Sequence, residues 1–254
     1  MVVDMHIHPF DRHSRNICRF DGVVPDVPET LREDLVRTGI DLCCGSVIDD
    51  ISCWDDIKAL NDTALALKKL YNGFYVPGYH IHPDYPKESC AEIERMCTEG
   101  VYLIGELVPY RMSWNGKGYA CDELTEVFTL AQEKGVAVNV HPTTPEDMDA
   151  FAAKYPRLSI IEAHPGDGNT YLTNLERLAR FPNLYQDLSG TGMFRYGMLR
   201  HGIDKVGSER FMFGSDYPIC SPGMNLHGVL YEKLNQSELE NVLYKNAARV
   251  LKLP

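Results

Sequence analysis

Short apolar runs alternate with amphipathic stretches along the chain, and this alternation restricts the fold more than any other feature. Eight runs are predicted to be buried strands: VVDMHI, IDLCCGSVI, FYVPGYHI, VYLIGEL, VAVNV, LSIIEA, NLYQDLS and RFMFGS. Strands that are apolar on both faces are typical of parallel sheets covered by helices. Eight strand–helix units in 254 residues predict one domain over residues 1–254, an α/β (β/α)8 TIM barrel. A doubly wound open sheet is the alternative, although no G-x-G-x-x-G follows a strand.

Helix signals occur between these runs. Thr144 is expected to cap a helix whose first residue is Pro145, because proline is favoured at that position. Ser237 and Glu240 have the spacing of a capping box before the last helix. Gly135 is expected to end the helix that precedes the fifth strand.

Composition narrows the class of protein. The formal net charge is −11, which disfavours nucleic acid as a partner because phosphate backbones are repelled. No apolar run approaches 18 residues, and the first strand begins at residue 2, so we expect neither a membrane span nor a signal peptide. The eight cysteines form no C-x-x-C motif and are expected to be buried thiols in a reducing compartment. A cytoplasmic protein is therefore predicted.

Two histidines end the first strand. His6 and His8 are two residues apart, so their side chains project to the same side of an extended strand. Pro9 cannot continue a central strand and places the pair at its carboxyl end. This motif taken alone fits two interpretations. The two histidines are metal ligands on one side of the strand, or one lies in the core and the other is exposed.

The other strand ends favour the metal interpretation. His141 and His164 also precede proline where a strand ends, while Glu106 ends the fourth strand and Asp216 follows the eighth. In a barrel, the carboxyl ends of the strands form one face, where catalytic residues collect. Imidazoles and carboxylates buried together suit a divalent cation, with zinc expected first and manganese or iron as alternatives, one or two per chain.

Several motifs resemble the amidohydrolase superfamily of metal-dependent barrel enzymes, in its compact branch of hydrolases and nonoxidative decarboxylases. They are HIH on strand 1, NVHP on strand 5, EAHPG on strand 6, FGSDYP on strand 8 and the closing NAARVLKL. The resemblance covers essentially the whole chain. It implies that the metal ligands and catalytic groups are His6, His8, His141, His164 and Asp216. Asp216 is then also a proton acceptor, and His164 binds a second metal or contacts the water or substrate.

The resemblance leaves the role of Glu106 open. Many two-metal members have a carboxylated lysine on strand 4, whereas the deoxyribonuclease-like branch has a glutamate in a GE motif, as in IGEL here. The decarboxylase branch generally lacks a carboxylate at this position. Glu106 is therefore expected to bind or bridge metal, and the alternative is that it pairs with a loop arginine.

Side chains on the predicted active face suggest the substrate. Arg12 lies in the loop after strand 1, and Arg111 and Trp114 lie in the loop after strand 4. Arginine suits bidentate recognition of carboxylate or phosphate, so a small anionic substrate is expected. His82, at the end of strand 3, is expected to line the pocket or hold a loop. Asp187 and Ser189, near the end of strand 7, are expected to form buried hydrogen bonds, and contact with substrate is the alternative.

Four functions fit these residues. The first is hydrolysis of an amide, ester or lactone bond by metal-activated water. The second is nonoxidative decarboxylation of an aromatic or unsaturated acid, and the third is metal-dependent cleavage of DNA. The fourth is a metal-binding or interaction protein without catalysis. A homodimer is a further expectation, since dimers are common among such barrels.

Overall fold

The computed structural model describes residues 1–11 and 28–253, and within them the strands are short and strictly parallel. The strands are β1 Val3–Asp4, β2 Leu42–Ser46, β3 Tyr75–Gly78, β4 Leu103–Leu107, β5 Ala137–Val140, β6 Ile160–Glu162, β7 Leu184–Asp187 and β8 Phe211–Met212. Their order in the sheet follows their order in the chain, as expected for repeated strand–helix units.

Backbone hydrogen bonds close this sheet into a barrel. Continuous parallel pairing joins β1 to β3 and β4 to β8. The Tyr79 N–H donates to the carbonyl of Leu103 at 3.1 Å, which links β3 to β4. The Met5 N–H donates to the carbonyl of Phe213 at 2.9 Å, which links β8 back to β1. The structure is therefore the predicted (β/α)8 barrel, and the open-sheet alternative is wrong.

Helices surround the barrel. The α-helices of the described residues are α1 Pro28–Thr38, α2 Trp54–Tyr71, α3 Pro86–Thr98, α4 Thr125–Lys134, α5 Pro145–Lys154, α6 Asn169–Arg180, α7 Met198–Val206, α8 Pro222–Tyr231, α9 Gln236–Glu240 and α10 Asn246–Leu251. Short 3₁₀ turns cover Asp122–Leu124 and Ser208–Arg210, and a π-helical turn, Asn241–Lys245, joins α9 to α10.

The local helix signals give mixed results. Thr144 caps α5 and accepts a hydrogen bond from the Asp147 N–H, with Pro145 as the first helical residue. Gly135 ends α4 in the left-handed conformation, with φ at 64°. The predicted capping box is wrong by two residues, because Asn235 and Glu238 form it. An asparagine side chain accepts the hydrogen bond as well as a serine does, so the spacing alone fits both registers.

The apolar core explains why one end of the barrel is available for a site. The larger cluster lies between strands and helices. A second cluster joins Val3, Leu103 and Ala137, each the first residue of its strand, to Val250 and Leu251 of α10. Helix α10 therefore packs across the amino ends of the strands. The polar side chains of the site are at the opposite, carboxyl ends.

Candidate metal centre

The six residues that the sequence predicts as metal ligands converge at the carboxyl ends of the strands. They are His6, His8, Glu106, His141, His164 and Asp216. Glu106 lies in β4, and the other five follow β1, β5, β6 and β8, whose carboxyl ends meet at one face of the closed barrel. His6, His8 and Glu106 are at most 3% exposed, so their polar atoms depend on one another rather than on bulk water.

The first set of potential ligands surrounds the two histidines of β1. Their Nε2 atoms lie 3.3 Å apart. Glu106 Oε2 lies 3.4 Å from His6 Nε2 and 3.3 Å from His8 Nε2. Asp216 Oδ1 lies 3.7 and 3.4 Å from the same two nitrogens. Two imidazole nitrogens and two carboxylate oxygens thus face one point, which is a donor set suited to a divalent cation.

An orphaned oxygen supports this interpretation. Asp216 Oδ1 is buried and has no hydrogen-bond partner among the described residues. A buried carboxylate oxygen without a partner is costly, because the charge has lost its hydration. A cation held by His6, His8 and Asp216 would offset that cost, and potential ligand atoms of these three residues lie within 4.8 Å of one another.

The second set surrounds the other oxygen of Glu106. Glu106 Oε1 lies 3.1 Å from His141 Nδ1 and 3.4 Å from His164 Nε2. His141 is less buried than the first set, with 29% of its side chain exposed. Glu106 therefore divides its two oxygens between two pairs of imidazoles. This is the arrangement expected of a carboxylate that bridges two cations.

The electrostatics show that the site requires positive charge. Burial alone would lower the pKa of His6, but the carboxylates of Asp187 and Glu106 outweigh it and hold the pKa well above its ordinary value. Burial acts on Glu106 in the opposite direction, but His6 and the hydrogen bond with His141 hold its pKa well below the usual range. Cations bound between these groups would balance the negative charge of the buried carboxylates.

Local backbone geometry aims two of these side chains. His164 has φ at 59° and Asp216 has φ at 64°, a left-handed conformation that costs non-glycine residues free energy. A residue before proline is ordinarily extended, and His164, which precedes Pro165, departs from that preference. Gly190 makes room for the turned imidazole, since a Cβ there would lie 2.4 Å from His164 Nδ1.

A cavity of about 640 Å³ lies over the ligand sets, and its floor is formed by every potential ligand except His6. Its size is in the range of small-molecule sites. The walls include Ile48, Val108, Tyr110, Arg111, Phe194 and Ile219. The Arg111 Nε donates to Asp50 Oδ1 at 3.0 Å, and 20% of its side chain is exposed. The cavity thus combines apolar walls, one guanidinium and a polar floor.

Comparison with known proteins identifies the family. The family model described as amidohydrolase matches residues 3–253. The chain belongs to the amidohydrolase family. No curated protein matches the chain.

Solved structures share this fold over nearly their whole length. One is the 5-carboxyvanillate decarboxylase of Sphingomonas paucimobilis, with a TM-score of 0.73 and 17% identity, covering 100% of this chain and 99% of that one. The 2,6-dihydroxybenzoate decarboxylase of Rhizobium has a TM-score of 0.76 and 15% identity, with 99% and 98% covered. The dihydroxybenzoic acid decarboxylase of a Polaromonas species, with bound manganese and the inhibitor 2-nitroresorcinol, has a TM-score of 0.75 and 14% identity, with 100% and 98% covered. At these identities the likeness shows the fold.

Family membership and the donor set agree on the general chemistry. The protein is an enzyme of the amidohydrolase family whose site is built for a divalent metal and a small-molecule substrate. No helix within the described ranges has the length and apolar character that crossing a bilayer requires. The cysteines of these ranges are free thiols, but the expectation that they are buried holds only for Cys43 and Cys44, since Cys53 is exposed and the other four are partly exposed.

The predicted substrate contacts of this amidohydrolase lie in different places. Arg111 lines the metal cavity, whereas Arg12 lies outside the described residues. Trp114 is 1% exposed and lines a neighbouring cavity of about 710 Å³, which shares Tyr110 and His141 with the first. A substrate contact for Trp114 therefore stays a prediction.

His82 is placed behind the loop that follows β4. Its Nε2 lies 2.7 Å from the carbonyl oxygen of Met112, and its Nδ1 accepts a hydrogen bond from the Asp84 N–H. It is not among the residues lining the metal cavity. Its observed contacts are those of a residue that holds a loop, the second of the two roles expected from the sequence.

Asp187 is a site residue whose importance the sequence understates. It ends β7, is fully buried and lies 2.9 Å from His6 Nδ1 through its Oδ2. The sequence signal is its position as the last polar residue of a strand on the active face. The carbonyl of Ser46, 3.0 Å from His8 Nδ1, supports the other histidine of β1, and no side-chain pattern could have revealed it.

Proposed function

We propose that this protein is a metal-dependent hydrolase that cleaves an amide, ester or lactone bond in a small anionic molecule, with two divalent cations bound. The division of the Glu106 oxygens carries this proposal, since each oxygen faces its own pair of imidazoles at 3.1–3.4 Å. Each oxygen of Glu106 is therefore placed to bind a cation of its own, one in each ligand set.

Each residue then has a defined role. His6, His8 and Asp216 would hold one cation, His141 and His164 the other, and Glu106 both. Bound divalent cations supply a Lewis acid and lower the pKa of water to about 7. Asp216 has a carboxylate at the cavity floor, where it can accept the proton of the attacking water and deliver it to the leaving group.

The cavity walls suggest how substrate is held. Arg111 is the cation lining this cavity among the described residues, and its guanidinium suits a carboxylate or phosphate on the substrate. Phe194 and Ile219 provide apolar surface beside it. A molecule with one anionic group, an apolar body and a carbonyl or phosphoryl group next to the floor would fit this arrangement.

Metal content and product analysis test the proposal together. We expect two equivalents of zinc, manganese or iron per chain after purification without chelators or a metal-binding tag. A panel of anionic esters, lactones and N-acyl amino acids would then be assayed in H₂¹⁸O. Incorporation of ¹⁸O into one product supports hydrolysis. One metal equivalent, or no ¹⁸O incorporation across the panel, would count against it.

A second candidate is nonoxidative decarboxylation of an aromatic acid. It is favoured by the fold neighbours, whose names include decarboxylases of dihydroxybenzoate and carboxyvanillate, and by the aromatic walls Tyr110 and Phe194. In this reaction the metal would hold the substrate and a protonated group would deliver H⁺ to carbon. Release of CO₂ from dihydroxybenzoates, without ¹⁸O in the organic product, would support this candidate over the hydrolase.

Several finer expectations remain proposals. Zinc suits the imidazole and carboxylate ligands, while the Polaromonas neighbour carries manganese, so both metals belong in the first reconstitution. Cleavage of DNA is tested with a duplex and a single strand under the same conditions. A cytoplasmic location and a homodimer are predictions to be checked by fractionation and by light scattering.

A further inference from the structure

A buried hydrogen-bond network lies behind the two proposed metal sets. Asp187 and Ser189 are both fully buried at the end of β7. Asp187 Oδ2 lies 2.9 Å from His6 Nδ1 and accepts a hydrogen bond from Asn139 Nδ2 at 3.0 Å. Asp187 Oδ1 accepts hydrogen bonds from the Ser189 N–H at 3.1 Å and the His164 N–H at 3.3 Å. Both oxygens of one carboxylate are thus fully used.

Ser189 connects this carboxylate to two imidazoles. Its hydroxyl donates to Asp187 Oδ1 at 2.5 Å. Its oxygen also lies 3.1 Å from His6 Nδ1 and 3.0 Å from His164 Nδ1. A hydroxyl has one proton and two acceptor lone pairs. With the proton directed to Asp187, the lone pairs face the two Nδ1 atoms.

The proton count then fixes both histidines. A bare Nδ1 facing a lone pair of Ser189 would be repelled, so His6 and His164 must each carry their proton on Nδ1. In the neutral ring, the form that binds a cation, Nε2 is consequently bare. The two Nε2 atoms lie 3.4 Å from the two oxygens of Glu106, at the positions proposed for the cations.

We propose that Asp187 and Ser189 are a shared positioning pair that fixes the tautomers of His6 and His164, and so prepares one ligand in each metal set. This inference rests on the proposed two-metal function. His6 has two acceptors at its Nδ1, Asp187 and Ser189, whereas the His164 ring has Ser189 as its Nδ1 partner within the described residues. Loss of the hydroxyl should therefore affect the His164 set more than the His6 set.

Metal affinity of the purified protein tests this asymmetry. Outer partners of metal-bound histidines typically contribute 10- to 100-fold in affinity. For Ser189→Ala we expect the second zinc equivalent to bind about 10- to 100-fold more weakly in chelator competition, with the first changed less than about threefold. The isosteric substitution Asp187→Asn should weaken the binding of both zinc equivalents. Ser89→Ala is the matched control, since Ser89 is equally buried but hydrogen-bonds to the backbone of His82.

A spectroscopic measurement tests the tautomers directly. In zinc-loaded protein labelled with ¹⁵N-histidine, the rings of His6 and His164 should both show a protonated Nδ1 and a bare, metal-shifted Nε2. In Ser189→Ala, the Nδ1 proton of His164 should exchange with solvent faster than in the Ser89→Ala control.

Several results would overturn the inference. One is a bare Nδ1 on the His6 or His164 ring of the wild type. Another is that Ser189→Ala weakens binding of the first and second zinc equivalents equally. The third is that neither Ser189→Ala nor Asp187→Asn changes the affinity for zinc. If the wild-type protein binds only one metal equivalent per chain, the proposed two-metal function is refuted. The ring signals would still decide the tautomers in that case, so the two failures are distinguishable.

Discussion

Replacing Glu106 by glutamine tests the centre of the proposed site. Glutamine has the same shape and keeps one oxygen, but it removes a negative charge that faces four imidazoles at 3.1–3.4 Å. Its NH₂ group also cannot accept a hydrogen bond or bind a cation. If Glu106 bridges two cations, Glu106→Gln should lose one of them completely under conditions that keep the wild type fully loaded.

Coulomb's law gives a rough magnitude for this loss. Two unit charges 4 Å apart interact by about 4 kcal/mol at an effective dielectric constant of 20. Because 1.4 kcal/mol corresponds to a factor of ten, removing one carboxylate charge should weaken the affected cation roughly a thousandfold. Divalent charge increases the effect, while the avoided cost of burying a carboxylate reduces it.

The assay is elemental analysis after equilibrium dialysis, followed by chelator competition with zinc and with manganese. Glu92→Gln is the matched control, since Glu92 is also a buried glutamate but pairs with Arg95 in α3, away from the site. The control should keep the wild-type stoichiometry. If Glu106→Gln kept both equivalents with affinities within tenfold of the wild type, the bridging role and the two-metal argument would be refuted.

Further predictions concern substrate, backbone, core and metal. Arg111→Met should raise KM for the true substrate at least tenfold with a smaller effect on kcat, and an unchanged KM would remove Arg111 from the binding site. Gly190→Ala places a Cβ 2.4 Å from His164 Nδ1 at a φ of 61°. Thermal melting should therefore show that the free energy of unfolding falls by about 1–3 kcal/mol. Metal titration should show weaker binding of the second metal equivalent. A stable variant with normal metal binding would contradict this. Arg177→Met leaves Glu162 buried and unpaired, where the ion pair now measures 2.8 Å, and should destabilise the fold by about 3–5 kcal/mol in denaturant titration without changing metal stoichiometry. Chelation should lower the melting temperature, and zinc at 100 times its dissociation constant should restore about 2.7 kcal/mol for each site. Equal melting curves with and without metal would argue against binding in the folded state.

The sequence contains the information that concerns one strand at a time. His6 and His8 share a side because extended residues alternate, and Pro9 ends the strand. Eight apolar runs separated by helices allow few topologies besides a barrel. Because a barrel collects the carboxyl ends of its strands at one face, the six potential ligands could be predicted from their positions alone.

Tertiary structure decided what depends on distances between strands. The role of Glu106 was open in the sequence, and closure of the barrel directs its two oxygens to different imidazole pairs. The burial of Trp114 and the loop contacts of His82 depend on how the segment after β4 folds back. Neither property follows from residue type or spacing.

The support of the ligands was likewise decided by the fold. Asp187 and Ser189 lie near the end of β7, while the imidazoles that they contact follow β1 and β6. The left-handed backbone of His164 also contradicts the local preference that its following proline sets. Local patterns thus determined which side chains reach the active face. The register and closure of the barrel determined which atoms of those side chains meet, because hydrogen bonds and metal coordination require positions accurate to a few tenths of an ångström.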